Sequence, residues 1–159
     1  MNFSDIKSYL EKNISSTFEV KEGKEVLFST PENLIELMEF LNKDKEMMFD
    51  TLLCVTGYDD KVIGSAYNLF SLEKVHYIEV RVEVDRENPV IPSVEGIWKA
   101  ANWHEREAFD LFGINYEGHT DLRRILLPND WEGYPLRKDF VTPEFYNGVP
   151  VPKDKSEWD

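Results

Sequence analysis

From Ile114 to Asp159 no stretch of the chain keeps either a helical or a strand period. Charged, aromatic, glycine and proline residues alternate there too closely to present one apolar face. Five of the chain's eight prolines fall in this span, each removing an amide donor. The core must therefore come from residues 1–113, and the expected organisation is an α+β domain over 1–113 followed by an extended tail over 114–159. Backbone ordering costs about 1–2 kcal/mol per residue, which so little periodic apolar sequence does not offset. The expectation is a tail ordered only by contact with a partner or a neighbouring copy.

Composition narrows the function classes. The chain carries a formal charge of -13, which opposes binding to nucleic acid or to anionic membranes and favours docking on a basic partner. Its 42% hydrophobic and 13% aromatic content suits a folded domain, and its longest apolar runs are far too short to span a bilayer. Asn2-Phe3-Ser4-Asp5 lacks a signal-peptide pattern, so a cytoplasmic location is expected. Cys54 is the one cysteine, which excludes an internal disulfide and any iron–sulfur cluster held by four thiolates of this chain.

Within 1–113 the patterns are readable. Ser4 is expected to cap a short helix with Phe3, Ile6 and Leu10 on one side, and 18–20 with 25–28 to form a small hairpin about Glu22-Gly23. Thr30-Pro31-Glu32 marks a helix start, with Leu34, Leu37, Met38 and Leu41 at helical spacing. Strands are expected near 47–57, 62–72 and 75–84, with turns at 59–61 and 73–74. His76, Ile78, Val80, Val82 and Val84 alternate with Glu79, Arg81 and Glu83, as in a strand with one wet face. These elements predict a small, mostly antiparallel sheet with helices packed on one face. Ser93 is expected to cap a last helix whose stripe is Val94, Ile97, Trp98, Ala101, Ala108 and Phe112, stopped by Gly113. Glu105 falls within that stripe, while Trp103 falls opposite it, beside Arg106, Glu107 and Asp110. A buried carboxylate needs a partner, and an exposed tryptophan marks an interface.

No residue set here completes a catalytic or metal constellation. His104 with Glu105 or Glu107 supplies too few ligands, and no HExxH, phosphate loop, dinucleotide loop or nucleophile elbow occurs. Glu105 and Glu107 diverge by about 200° on a helix and cannot share one site. His76 reads as a hydrogen-bonded core histidine, Cys54 as packing, and His119 as either a turn residue or a partner contact. Arg123-Arg124 and Arg137-Lys138 are basic islands that can pair with the chain's own acids, Glu105 among them, or with a partner's carboxylates.

Taken together, Glu105-Arg106-Glu107, Asp110, Leu111-Phe112, His119, Arg123 and Ile125-Leu126 resemble the signature of the C subunit of respiratory NADH:quinone oxidoreductase (complex I). Leu127-Pro128, Asp130-Trp131-Glu132-Gly133 and Pro135-Leu136-Arg137-Lys138-Asp139 resemble that family's ending. The likeness is strong over residues 95–140 and rests on length and element order over 1–90. Thr120 departs from it, since the family has proline after the histidine. The resemblance implies a peripheral subunit on the cytoplasmic side of the membrane that holds no cofactor itself. FMN, iron–sulfur clusters and quinone would belong to partner subunits, and the tail would wrap the large hydrogenase-like quinone-site subunit beside other hydrophilic-arm iron–sulfur subunits. It makes Trp103, Glu105, Arg106, Glu107, Asp110, His119, Asp121, Arg123, Arg124, Asp130, Trp131, Pro135, Arg137, Lys138 and Asp139 the candidate interface residues. The same module occurs in energy-converting [NiFe] hydrogenases and formate hydrogenlyases. A freestanding enzyme using His104, Glu105 and Glu107, and a soluble acidic adaptor without redox role, are the alternatives of other classes.

Overall fold

Alternation decides the central layer. A computed structural model of the chain, describing residues 1–14 and 17–151, has a four-stranded sheet ordered β1-β4-β3-β2. Strands β2 (Thr51–Asp59), β3 (Ile63–Ser71) and β4 (His76–Val84) form an antiparallel meander turning at 60–62 and 72–75. Val55, Tyr67, Leu69, Ile78, Val80 and Val82 point to one face and are buried, whereas Tyr77, Glu79 and Arg81 lie on the open face. His76 is buried as expected, its Nε2 2.6 Å from the Met47 carbonyl oxygen.

The edge beyond β4 differs from the expected hairpin. Residues 19 and 28 do bridge, each backbone N–H donating to the other's carbonyl. Strand β1 (Leu27–Ser29), which contains Phe28, pairs on its other side in parallel with β4, Leu27 opposite Val80. Leu27 is wholly buried, and that burial outweighs the local hairpin geometry. The strand expected from residue 47 begins at Thr51. Met47 and Phe49 are buried in the approach to it, where the Phe49 N–H donates to Leu41 O (2.9 Å).

Three helices cover the core face. Helix α1 (Phe3–Asn13) is capped by Asn2 and not by Ser4: Asn2 accepts from the Asp5 N–H (2.9 Å), and the Asp5 carboxylate accepts from the Asn2 N–H (3.1 Å). Helix α2 (Pro31–Lys43) starts at the proline and buries Leu34, Leu37, Met38 and Leu41. Helix α3 (Ala101–Phe112) starts later than expected, and Ser93 does not cap it. Residues 94–100 form successive turns, so Val94 and Trp98 join the core without a continuous helix. Gly96 within that stretch weakens helical propagation.

Past Gly113 the chain does not leave the domain at once. Ile114 and Tyr116, beyond the expected boundary, are buried in the same core. Strand β6 (Asn115–Glu117) pairs parallel with β5 (Val90–Pro92), closing a strand–helix–strand unit around α3. A small hairpin, β7 (Phe145–Tyr146) with β8 (Val149–Pro150), turns through Asn147-Gly148. Residues 152–159 of the expected tail lie outside the described residues.

Candidate functional site at the helix–tail junction

Gly113 closes α3 in the left-handed conformation, φ +72°, and reverses the chain. The β5–β6 pairing then returns residues 118–127 along α3. That route brings His119 to the first turn of the helix, with Nε2 3.1 Å from Asn102 O. Its Nδ1 accepts the Asp121 N–H at 3.0 Å, so the ring proton sits on Nε2 and donates to Asn102. The imidazole is fully enclosed, 4.0 Å from both Glu95 and Glu105. Of the two readings of His119, the structure thus gives a turn residue locked by its own chain.

Three buried carboxylates organise the junction, each with different partners. Glu105 accepts from Ser93 Oγ (2.6 Å) and from the Val94 N–H (2.8 Å). Its expected arginine partner is absent, because Arg123 pairs with Asp121 (2.9 Å) and Arg124 with Asp110 (2.7 Å). With no cation in contact, burial raises the Glu105 pKa to about 7. Glu95 accepts from Asn102 Nδ2 (3.0 Å), the Thr120 N–H (3.0 Å) and Thr120 Oγ1 (2.9 Å). The Thr120 backbone bond leads in lowering its pKa to about 2.

Together these bonds clasp the tail to α3, and Asp110 takes the largest share of the clasp. Its Oδ2 accepts the N–H groups of Ile125, Leu126 and Leu127 at 2.9, 2.7 and 2.9 Å, while Oδ1 receives Arg124. Burial pulls its pKa upward, but these donors outweigh it and hold the group below the usual carboxylate range. Arg106 and Asp110, expected on the outer face, are therefore buried beneath the returning tail, which supplies their hydrogen bonds. Arg106 donates to Arg123 O (3.2 Å) and lies 5.1 Å from the centre of the Trp103 ring. Trp103 is 64% exposed and Glu107 is also outward, as their helical positions predict.

Further along, the tail is stitched to both ends of the domain. Arg124 also donates to Trp131 O and Gly133 O, and with Arg137 it flanks Tyr134, whose ring fills the space above Gly113. Arg137 donates to Phe112 O. Lys138 donates its backbone N–H to Asp59 (2.8 Å) and its Nζ to Asp60 (3.0 Å), and Arg86 pairs with Asp59 and, at 3.5 Å, with Asp139. Trp131 packs with Phe140 and Tyr146, whose hydroxyl donates to Asp130 (3.0 Å). Pro135 is half-buried. The tail as far as Asp139 is thus held by the chain's own side chains, correcting the expectation that only a partner orders it.

The structure gathers Glu105, His119, Arg106, Asp121 and Trp103 at one end of α3 and Asp110 with Arg124 at the other. Asp130, Trp131 and the 137–139 segment stand apart. Sequence reasoning does not reach Glu95, Asn102, Asp59 or Arg86 as junction residues, because Ser93 and the residues after it read as the start of the last helix. The one signal is Thr120, whose hydroxyl and N–H are both spent on Glu95. Among the described residues no three His, Cys, Asp or Glu side chains are placed to share a metal ion, and no helix is long and apolar enough to cross a membrane. What the arrangement does is mechanical: it fixes a strongly polar tail to a helix through desolvated, directional bonds.

Known proteins resemble this chain in sequence and in fold. The family model described as respiratory-chain NADH dehydrogenase, 30 Kd subunit, matches residues 27–146. The C subunit of the NADH-quinone oxidoreductase of Chloroherpeton thalassium is 48% identical over 116 residues, 71% of this chain and 48% of that protein. That of Chlorobium phaeobacteroides is 44% identical over 117 residues, 71% of this chain and 70% of its own. That of Hyphomonas neptunium is 38% identical over 144 residues, 86% and 71% respectively. The chain thus spans about half the length of the first of these relatives. Among solved structures, a trypsin-resistant fragment of Nqo5 superposes with a TM-score of 0.60 at 31% identity, covering 74% of this chain and 98% of the fragment. A chain of an archaeal membrane-bound sulfane sulfur reductase superposes at 0.70 with 25% identity, covering 87% and 84%.

Proposed function

This chain belongs to the family of the 30 kDa subunit of respiratory-chain NADH dehydrogenase, and we propose that it is a scaffolding subunit of a membrane-associated NADH:quinone oxidoreductase. In this reading it catalyses nothing by itself. It sits peripherally on the cytoplasmic side and docks on the large hydrogenase-like quinone-site subunit, while NADH oxidation, quinone reduction and ion translocation occur in its neighbours. FMN and the iron–sulfur clusters belong, in this reading, to those neighbours; for four-thiolate clusters the reason is that one cysteine cannot supply the ligands.

The observation that carries the proposal is the clasp. Glu95 and Asp110 spend their acceptors on tail amides, and Arg137 and Lys138 tie the next segment to Phe112 and Asp59, so the direction in which residues 140–151 leave the body is set before any partner arrives. Beside it stands Trp103, a large exposed aromatic of the kind that anchors protein interfaces. That a trypsin-resistant Nqo5 fragment covers 74% of this chain supports a compact body with a remainder used for contact. The likeness to a chain of an archaeal respiratory membrane complex favours a second reading, in which the same module serves another membrane-bound redox complex.

The test is purification from native membranes through an affinity tag on the full chain. Co-elution of a multisubunit complex with NADH:quinone reductase activity is expected. A chain cut after Phe140, beyond the contacts of Tyr134, Arg137 and Lys138 with the body, should keep its fold and lose most of that complex. A tagged chain that elutes alone would overturn the proposal, and a complex with hydrogenase or sulfur-reducing activity would select the second reading.

A further inference from the structure

The turn between β3 and β4 combines two facts that work against each other in an isolated chain. Its backbone doubles back through Val75 at φ +52°, with the Val75 N–H on Ser71 O (2.9 Å) and the Lys74 N–H on Ser71 Oγ (3.2 Å). Left-handed backbone suits glycine or asparagine, and among the described residues five glycines, Asn147 and Met48 share it with Val75, which alone of them is β-branched. A β-branched side chain there crowds its own backbone, so valine is a genuine outlier. Burial gives nothing in return, because Val75 is 72% exposed. Leu72 at the same tip is 68% exposed, and Leu53 and Tyr77 continue the apolar surface onto the open face, where Tyr77 stands opposite Phe70. Asparagine at position 75 would relieve the backbone and remove wet apolar surface together.

We infer that this hairpin tip, Leu72 and Val75 backed by Leu53 and Tyr77, is an apolar knob that inserts into an apolar, basic-rimmed pocket on a neighbouring subunit of the complex. The inference rests on the proposed function and adds a second attachment, on the opposite side of the sheet from the helices. Charge selects the occupant. Asp50 accepts the Leu72 N–H at the base of the knob (3.3 Å), Glu73 flanks the tip, and the whole chain carries -13. That rim repels the anionic headgroups of a bilayer and the like-charged rim of a second copy, whereas a cationic rim on another protein complements it. Lys74 is the one lysine or arginine between Ser71 and His76.

The discriminating variants are Val75→Asn and Leu72→Ser in the full chain. For Val75→Asn the melting temperature should rise by about 2–4 °C, as strain is relieved in a chain of this size. In competition with the unmodified chain, its recovery in the tagged membrane complex should fall about tenfold, the loss of one buried aliphatic contact. Leu72→Ser should leave the melt unchanged and lower recovery similarly. A position of purely local importance would move the melt without moving recovery. An unchanged or lowered melt for Val75→Asn would overturn the inference, as would equal recovery of both variants and the unmodified chain. So would binding of the unmodified chain to phosphatidylcholine/phosphatidylglycerol vesicles, or its dimerisation, that Leu72→Ser abolishes. If the unmodified chain recovers no redox complex, the proposed function itself fails and the knob fails with it. A recovered complex indifferent to both substitutions sinks the knob alone.

Discussion

Between Thr51 and Val84 the chain buries Val55, Tyr67, Leu69, Ile78, Val80 and Val82 by alternation, whereas between Ser93 and Leu127 it buries Glu95, Glu105, Arg106 and Asp110. In the sheet, transfer of apolar area out of water does the work, and any side chain of similar shape can serve. At the junction, desolvating charged groups opposes folding, and only donors at fixed positions compensate. Loss of a sheet side chain leaves a cavity. Loss of a junction side chain leaves several unsatisfied polar groups at once, so the two regions should fail differently.

The largest expected effect is at Asp110. Asp110→Ala leaves three backbone N–H groups unsatisfied and removes the carboxylate paired with Arg124, and should cost about 3–5 kcal/mol in urea melts, with amide exchange at 125–127 accelerated. A loss under about 1 kcal/mol would erase the contrast. Its counterpart in the apolar layer, Leu37→Ala, should cost about 2–5 kcal/mol through a cavity under α2, without selectively freeing those amides. Gly113→Ala comes next, at about 1–3 kcal/mol. Its backbone is left-handed, and an added Cβ would collide with the Tyr134 ring. Circular dichroism melts of both variants place them on one scale.

Titration sharpens the comparison within the junction itself. Glu105 ionises near 7 when folded against an ordinary value of 4.5, so its contribution to stability is complete below about 4.5 and is lost as pH rises through 7. Glu95, held at about 2, contributes fully above 4.5 and loses that contribution as pH falls toward 2. Glu105→Gln should flatten the decline in melting temperature between about pH 5 and 8, and Glu95→Gln should weaken the acid limb. An unchanged slope in Glu105→Gln would mean the carboxyl is not desolvated as described. Because no arginine depends on Glu105, that substitution should not strand a charge. The smallest effect is Glu107→Gln, on the exposed side of α3, within about 0.5 kcal/mol in the same melts.

What can be read in advance follows the same division. The α+β class, helix α2, the meander and the Ala101, Glu105 and Ala108 face of α3 are legible because one buried face imprints a period, whereas Val94, Ile97 and Trp98 share that period but precede the helix. The partners of Glu105 are not. A period marks that a carboxylate is buried, but its hydrogen bonds come from Ser93 and a backbone amide, which periodicity does not register. Arg106 and Asp110 read as outward because a helical wheel sees one helix, and the tail that covers them has no period of its own. Asn147-Gly148 carries a hairpin signal that an otherwise aperiodic span conceals. The parallel edge strand β1 is hidden because its partner lies far along the chain.

The clasp also bears on the order in which the molecule assembles. Asp110 reaches amides only 15, 16 and 17 residues away, so these contacts have low sequence separation. The pairing of Leu27 with Val80 must close a loop of more than fifty residues, and such non-local closure slows folding. The helix–tail contact therefore has the shorter search. The lock can form early, and docking of Ala108 and Phe112 over Gly57 on β2 then completes it against the sheet.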